Sequence, residues 1–309
     1  MSREPLPNRR SRRPLTLAVA AGLILVAWIG CHNGSRDAGA LTSAGVTHLQ
    51  MGEYDRAVRD FDRALALDPG LVVAWRQRAL AYRGKGDYER ALADFEQATL
   101  LAPSDPRLYT ERGVTYELLG DYANAIRDFN RAIAFRPTHA PAIEARGRTN
   151  FYLGNFAQAA ADLQRGLALD SANVFGALWL HLARQRLRQD DSEDFAAHAA
   201  LADSSQWRAP LVRYMLGSLS LDSLESAAAK LELGGRGKRC VVAFYLGEEA
   251  LLKGEESSAA ALFDQTRTTC PKELSEHRAA VAELQRMGRV PSLTERPESA
   301  PQTTVSSTR

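Results

Sequence analysis

The sequence predicts an all-α solenoid of stacked helix hairpins, and three observations carry that prediction. One pattern is written four times with a period of 34 residues between Ala38 and Asn173, marked by Gly52, Gly86, Gly120 and Gly154. Each glycine is followed at fixed spacing by Ala57, Ala91, Ala125 or Ala159, then Phe61, Phe95, Phe129 or Leu163, then Ala64, Ala98, Ala132 or Gly166. No stretch alternates polar and apolar residues as a half-buried strand would, while helix formers dominate.

Each residue type has a mechanical reason for its place. The glycine at repeat position 15 follows a helical run and can take the left-handed geometry that ends a helix. The residue after it, Glu53, Asp87, Asp121 or Asn155, can cap the next helix. Alanines at positions 20 and 27 let two backbones approach, and the Phe at position 24 fills the space beside them. Pro69, Pro103 and Pro137 close the first three units. A single hairpin cannot bury its apolar face, so the units must stack. This spacing resembles the tetratricopeptide (TPR) repeat, which implies a right-handed superhelix of hairpins.

A second regularity is more particular to this chain. Position 23 is aspartate in all four units (Asp60, Asp94, Asp128, Asp162), and position 7 is arginine in three (Arg78, Arg112, Arg146). In a hairpin turning near position 15 these positions face each other, so an arginine–carboxylate fork inside the repeat is expected. The pairing repeats with the fold, which favours a structural role over a ligand site.

Composition sets further bounds. The 309 residues are 45% apolar, enough for a substantial core. The formal charge of +2 sits at one end, because residues 1–30 hold five arginines against one glutamate. That leaves 34 basic and 36 acidic residues for the remainder, and nothing there suggests a nucleic-acid surface.

At the N-terminus, the basic cluster Arg9 to Arg13 precedes Leu15 to Gly30, an uncharged run, and then Cys31. A basic segment before an apolar one is an export signal. Ile29-Gly30-Cys31 looks like a bacterial lipobox, so Cys31 is the expected site of lipidation, although Trp28 stands where leucine is usual. Two alternatives stay open: an uncleaved anchor over residues 1–30, slightly short for a span, and cleavage near Ala38-Gly39-Ala40. Ser11-Arg12-Arg13 is a weak match to a twin-arginine signal. Residues 31–37 form a linker.

Beyond the four units of 38–173, residues 174–239 form a non-standard helical segment. A helix is expected over Phe175 to Arg188, a turn and helix start at Asp190 to Asp194, and two or three more helices through Trp207 and Tyr214 to Leu233. Gly234 to Lys238 reads as a loop, without the spacing or preceding strand of a phosphate cradle. The repeat returns at 240–288 as a fifth unit, with Gly247, Gly254, Ala259, Phe263 and Pro271 in register. The helix Leu274 to Met287 is suited to capping the open end of the stack. The tail 289–309, rich in Pro, Ser and Thr, cannot form a core and is expected to be disordered.

Once Cys31 is set aside, Cys240 and Cys270 remain, at the same end of one hairpin. A disulfide there suits an exported protein, and two small buried cysteines are the alternative. The six histidines show no metal-ligand spacing, and no HExxH, Cys-x-x-Cys or nucleophile elbow occurs. Glu276-His277 on the last helix reads as a solvated face rather than a catalytic couple. The sequence therefore predicts no catalytic residue, no metal site, no cofactor and no enzyme activity.

Past the fourth repeat, Leu178-Trp179-Leu180-His181-Leu182-Ala183, Gln206-Trp207, Leu216-Gly217 with Leu221 to Ala227, Phe244-Tyr245-Leu246-Gly247 and Glu276-His277-Arg278 occur in that order. Together they resemble the bacterial TPR lipoprotein family of new lipoprotein I over about residues 38 to 288. The resemblance implies an outer-membrane-anchored, periplasm-facing adaptor, often dimeric, that brings cell-wall hydrolases together with a processing protease. The different reading is an assembly component held in the inner membrane by an uncleaved N-terminal helix, within a secretion or division complex.

In stacked TPR units, first-helix positions 2, 5, 9, 12 and 13 line the concave face. Here they include Arg76, Arg83, Arg107, Thr110, Glu117, Arg148, Phe151 and Tyr152, a mixture of charge and aromatic anchors suited to a peptide or helix. The bland reading of each is a solvated helix face. Val46, Leu80, Val114 and Arg148 occupy position 9, where chaperone-binding TPR proteins need asparagine. Chaperone-tail binding is thus disfavoured.

Overall fold

The computed structural model describes residues 36–201, 207–230 and 235–290, without the side chains of 230 and 235–238. The export signal, Cys31, Gln206, Leu233, Gly234 and the tail from 291 lie outside the described residues. Within them every regular element is a helix, in agreement with the all-α expectation. The first, α1, covers 36–50, two residues ahead of the expected start. Then follow α2 (Tyr54–Leu67), α3 (Val72–Gly84), α4 (Tyr88–Leu101), α5 (Pro106–Leu118), α6 (Tyr122–Phe135), α7 (Ala140–Tyr152) and α8 (Phe156–Leu169). The remainder are α9 (Val174–Arg186), α10 (Ser192–Ala200), α11 (Ala209–Met215), α12 (Leu221–Lys230), α13 (Gly235–Leu252), α14 (Glu256–Thr269) and α15 (Ser275–Arg286).

The chain divides into two compact units between Asp87 and Tyr88, inside the second repeat. In the first unit α2 packs on α3; in the second, α4 through α9 pack consecutively, each on its neighbour in sequence.

Repeat position 15 behaves as its glycine demands. Gly52, Gly86, Gly120, Gly154 and Gly254 have φ between 73° and 80°. The next residue's N–H reaches back five residues, as in Glu53 to the His48 carbonyl and Asp121 to the Tyr116 carbonyl, both 2.9 Å. That is the Schellman closure. The acidic residue that follows caps less often than expected. Asp121 accepts from the Asn124 N–H at 3.1 Å, whereas Glu53 and Asn155 make no such bond. Glu53 instead receives the Arg56 guanidinium at 2.9 Å, which its longer side chain can reach.

Position 8 adds a constraint the period alone does not display. A Cβ on Gly113 would lie 2.6 Å from the Phe129 ring, and one on Gly247 would lie 2.7 Å from that of Phe263. In these two hairpins the aromatic of position 24 fits because position 8 lacks a side chain, whereas the second repeat accommodates Ala79 there beside the buried Phe95.

The arginine–aspartate fork forms as expected in repeats three and four. Arg112 meets Asp128 through two bonds of 2.7 and 2.8 Å, and Arg146 meets Asp162 at 2.8 and 2.6 Å. These arginines also reach the preceding repeat: Arg112 to Thr99 at 3.2 Å, Arg146 to Asn130 at 2.5 Å, and Arg78 to Asp62 at 2.5 Å. Repeat one has no arginine at position 7, and Asp60 there takes His48 at 2.7 Å. Position 4 supplies a further link, since Trp75 donates to the Pro69 carbonyl at 2.8 Å and Tyr109 to that of Pro103 at 2.9 Å.

The largest core lies in the second unit, built around Trp179, which is fully buried. Phe151 meets it edge-on at 5.2 Å, and Phe244 lies 5.7 Å away and 6.0 Å from Phe263. The segment from Leu178 to Ala183 is therefore core. Helix α13 begins at Gly235, so 235–238 are its first turn rather than the tail of a loop. Glycine in a helix costs only about 1 kcal/mol, which a long packed helix can absorb. Cys240 and Cys270 are disulfide-bonded, with Cα atoms 5.3 Å apart.

Candidate partner-binding face

The last helix takes a place the sequence did not suggest. Instead of closing the end of the stack, α15 packs against α7 and α13 as well as against α14. Its side chains reach first-helix positions of repeats three and four, the face that a free solenoid would present to a partner. Arg278 lies 3.7 Å from the Glu117 carboxylate, which also accepts the Thr149 hydroxyl. Arg286 donates to the Tyr152 carbonyl at 2.7 Å, at the C-terminus of α7. Cations are favoured at that end of a helix.

This placement divides the eight expected face residues. Glu117, Phe151 and Tyr152 are buried, at 1%, 0% and 2% exposure. Tyr152 sits between Trp179, 5.8 Å away, and Tyr122 at 5.7 Å, and burial raises its hydroxyl pKa above the usual tyrosine range. Thr110 is also buried, donating to the Pro106 carbonyl at 2.8 Å and meeting His139 at 3.1 Å. Burial, aided by Arg136, lowers the His139 pKa. Arg107 is exposed and grips Asp105 at 2.7 to 3.2 Å beside the N-terminus of α5. Arg76 and Arg83 are half-buried on α3, in the first unit.

Arg148 stays on a partly open surface, together with residues that position counting missed. Its guanidinium lies 5.2 Å from the Phe175 ring, and that of Arg208 lies 4.5 Å from Phe175 and 4.3 Å from Trp207. The result is a ladder of alternating cations and rings beside a cleft lined by Asp170, Asn173, Phe175, Trp207 and Arg208. Such cation–π stacking holds guanidinium groups flat while leaving N–H edges for an acceptor. The signal in the sequence was Gln206-Trp207 and the aromatic start of α9, neither of which lies in a regular repeat.

Around α15 the buried charges form a network. Arg186 on α9 bridges Glu248 of α13 and Glu283 of α15, each at 3.0 Å. Burial and the Glu283 carboxylate push Glu248 up to about 8, against the pull of Arg186. Arg208 pairs with Glu276 at 3.0 Å, and Glu276 has no exposed surface. The solvated-face reading of Glu276-His277 is therefore corrected: Glu276 is the buried anchor of an ion pair, and His277 is half-buried with its pKa lowered by burial. Among the described residues no three His, Cys, Asp or Glu side chains gather to hold a metal, and no helix is long and apolar enough to cross a membrane.

Comparison with known proteins agrees with this geometry. Tetratricopeptide repeat models match residues 38–71 and 81–145. Among solved structures, PilF of Pseudomonas aeruginosa is 16% identical over 81% of this chain and 99% of that one, with a TM-score of 0.52. A tetratricopeptide repeat protein from Parabacteroides merdae is 16% identical over 80% of this chain and 99% of that one, at 0.51. MamA is 19% identical over 51% of this chain and 93% of its own, at 0.47. The general use of this repeat is protein–protein interaction. In repeat pattern and in fold, the chain is a tetratricopeptide-repeat protein.

Proposed function

We propose that this chain is a non-enzymatic adaptor of the bacterial cell envelope, exported, anchored through lipid on Cys31, and facing the periplasm. Its partners are envelope proteins, and the resemblance to the new lipoprotein I family points to cell-wall hydrolases and a processing protease. The observation that carries the binding role is the Arg148–Phe175–Arg208–Trp207 ladder on the second unit. Arginine, tryptophan and an adjoining aromatic in a cleft are the residue types that dominate binding energy at interfaces. The Arg148 guanidinium favours an acidic group on the partner, while Arg208, paired with Glu276, holds its place in the stack.

Two features support export. A basic cluster precedes an uncharged run and a cysteine at the N-terminus. The Cys240–Cys270 disulfide suits an oxidising compartment. Crosslinking in intact cells, followed by identification of captured envelope proteins, tests the binding role. Capture by the wild type, and its loss with Arg148→Glu and Trp207→Ala, is the expected result; unchanged capture rejects the ladder as the site. Precursor accumulation under globomycin tests the anchor.

Trp28 in the lipobox favours a second reading, in which Leu15 to Gly30 is retained as an inner-membrane helix of an assembly component. An unprocessed mass without acyl label supports it.

A further inference from the structure

Three apolar side chains stand out from one edge of the second unit. Leu101, Phe135 and Leu169 are the last residues of α4, α6 and α8, all at repeat position 30, and are 46%, 50% and 44% exposed. Contacts between repeats join them into one row. The Tyr109 hydroxyl donates to the carbonyl of Pro103, two residues past Leu101, while its ring stacks on Phe135 with centroids 5.6 Å apart. Arg165 donates to the carbonyl of Pro137, two residues past Phe135, and lies one helical turn before Leu169. Phe135 is the centre of a basic patch. Arg131 and Arg127 precede it by one and two turns on the exposed side of α6, Arg136 follows it, and the Arg131 guanidinium lies 5.8 Å from the Tyr109 ring. The nearby acids do not cancel that charge at its centre: Asp128 is closed in its fork with Arg112, Asp105 is gripped by Arg107, and Glu96 and Asp170 stand toward the two ends of the row.

We propose that this edge is a second membrane contact, on which Leu101, Phe135 and Leu169 enter the headgroup boundary of a bilayer carrying anionic phospholipid while the arginines take its phosphates. Single apolar residues at the ends of successive helices offer no groove to a partner's helix, whereas a bilayer is soft and accepts isolated protrusions. Arginine meets phosphate oxygens through its planar fork, and each one held near an anionic leaflet adds to the attraction. The lipid on Cys31 would bring the protein to the same surface, because α1 begins five residues later, at Arg36, a span of at most about 18 Å. The first unit carries its own copy of the pairing, with Arg63 one turn before Leu67 on α2 and both exposed. The inference rests on the anchored-adaptor reading and deepens it, since it fixes which edge of the second unit faces lipid.

Photocrosslinking of the purified full chain to vesicles tests it, with p-benzoylphenylalanine in place of Phe135 or, as a control, in place of the exposed Glu225 on α12. The vesicles are phosphatidylcholine with about one quarter phosphatidylglycerol. The expected result is a lipid adduct at position 135 about tenfold or more above that at 225. That adduct is expected to fall about tenfold in vesicles of phosphatidylcholine alone, in about 0.5 M salt, and with Arg131→Glu and Arg136→Glu. The salt arm needs no substitution, so it stands even if the double variant folds poorly. Equal adducts at 135 and 225 overturn the proposal, as does an adduct at 135 that ignores both lipid charge and salt. Crosslinks from 135 to a second copy of the chain in place of lipid overturn it too, and mark the edge as a protein interface. The adduct needs no lipid on Cys31, so an unacylated precursor in cells together with an adduct at 135 rejects the anchor alone, and a lipidated protein without that adduct rejects this edge alone.

Discussion

Within the second unit, the hairpins α5–α8 and the helices α9–α15 both bury charge, but they do so over different distances along the chain. In the hairpins the fork closes within one repeat: Arg112 and Asp128 are separated by 16 residues, as are Arg146 and Asp162. In the later helices Arg186 reaches Glu248 and Glu283 across 62 and 97 residues, and Arg286 reaches Tyr152 across 134. Local pairs can be copied with the repeat and survive as the array lengthens. Distant pairs hold one arrangement of one chain, and one arginine there ties together carboxylates from two different helices.

That contrast predicts the largest effect at Arg186. Arg186→Ala removes the cation that hydrogen-bonds Glu248 and one of the two that hold Glu283, which keeps Arg286, and is expected to destabilise the fold by about 4 kcal/mol, whereas Arg112→Ala, which strands Asp128 alone, costs about 3. Urea denaturation of the two variants compares them, and equal losses would erase the distinction. Replacing Cys240 and Cys270 by serine removes a loop closure over 30 residues and is expected to cost about 3 kcal/mol, confined to unfolding of the later helices. Gly113→Ala and Gly247→Ala make the two regions equivalent. Each pushes a Cβ into an aromatic ring, and after the gain in helix propensity a loss of about 1 to 2 kcal/mol is expected at both.

A further effect is on pH dependence. Glu248 ionises at about 8 in the fold against an ordinary value of 4.5, so between those values the folded state holds a proton that the unfolded chain has released. Stability contributed by this group is complete below pH 4.5 and is lost as pH rises toward 8. Glu248→Gln is expected to flatten that decline, measured as thermal midpoints from pH 5 to 8. An unchanged slope would mean that Arg186 keeps the carboxylate charged throughout.

Legibility in the sequence follows the same division. The turn glycines, the Ala–Phe–Ala packing and the arginine–aspartate forks were readable because each depends on residues within one period. The position of α15 was not, because its partners Glu117, Tyr152 and Arg186 lie far away in the chain and obey no repeat. Glu276 looked solvated for the same reason: nothing near it in sequence announces Arg208. Of the candidate face, Arg148 could be found by position, whereas Phe175 and Arg208 belong to the irregular helices. Capping at Glu53 and Asn155 failed on a smaller scale, through side-chain reach and local competition that position alone does not encode.

The covalent bond between Cys240 and Cys270 lies immediately before the short link into α15. It pins the end of α14 to α13, so any excursion of the final helix pivots at Pro271 to Leu274 and cannot peel the preceding hairpin away. A pull applied through the C-terminus would therefore bypass residues 241–269, which the bond closes into a loop, and pass its load directly to Cys240.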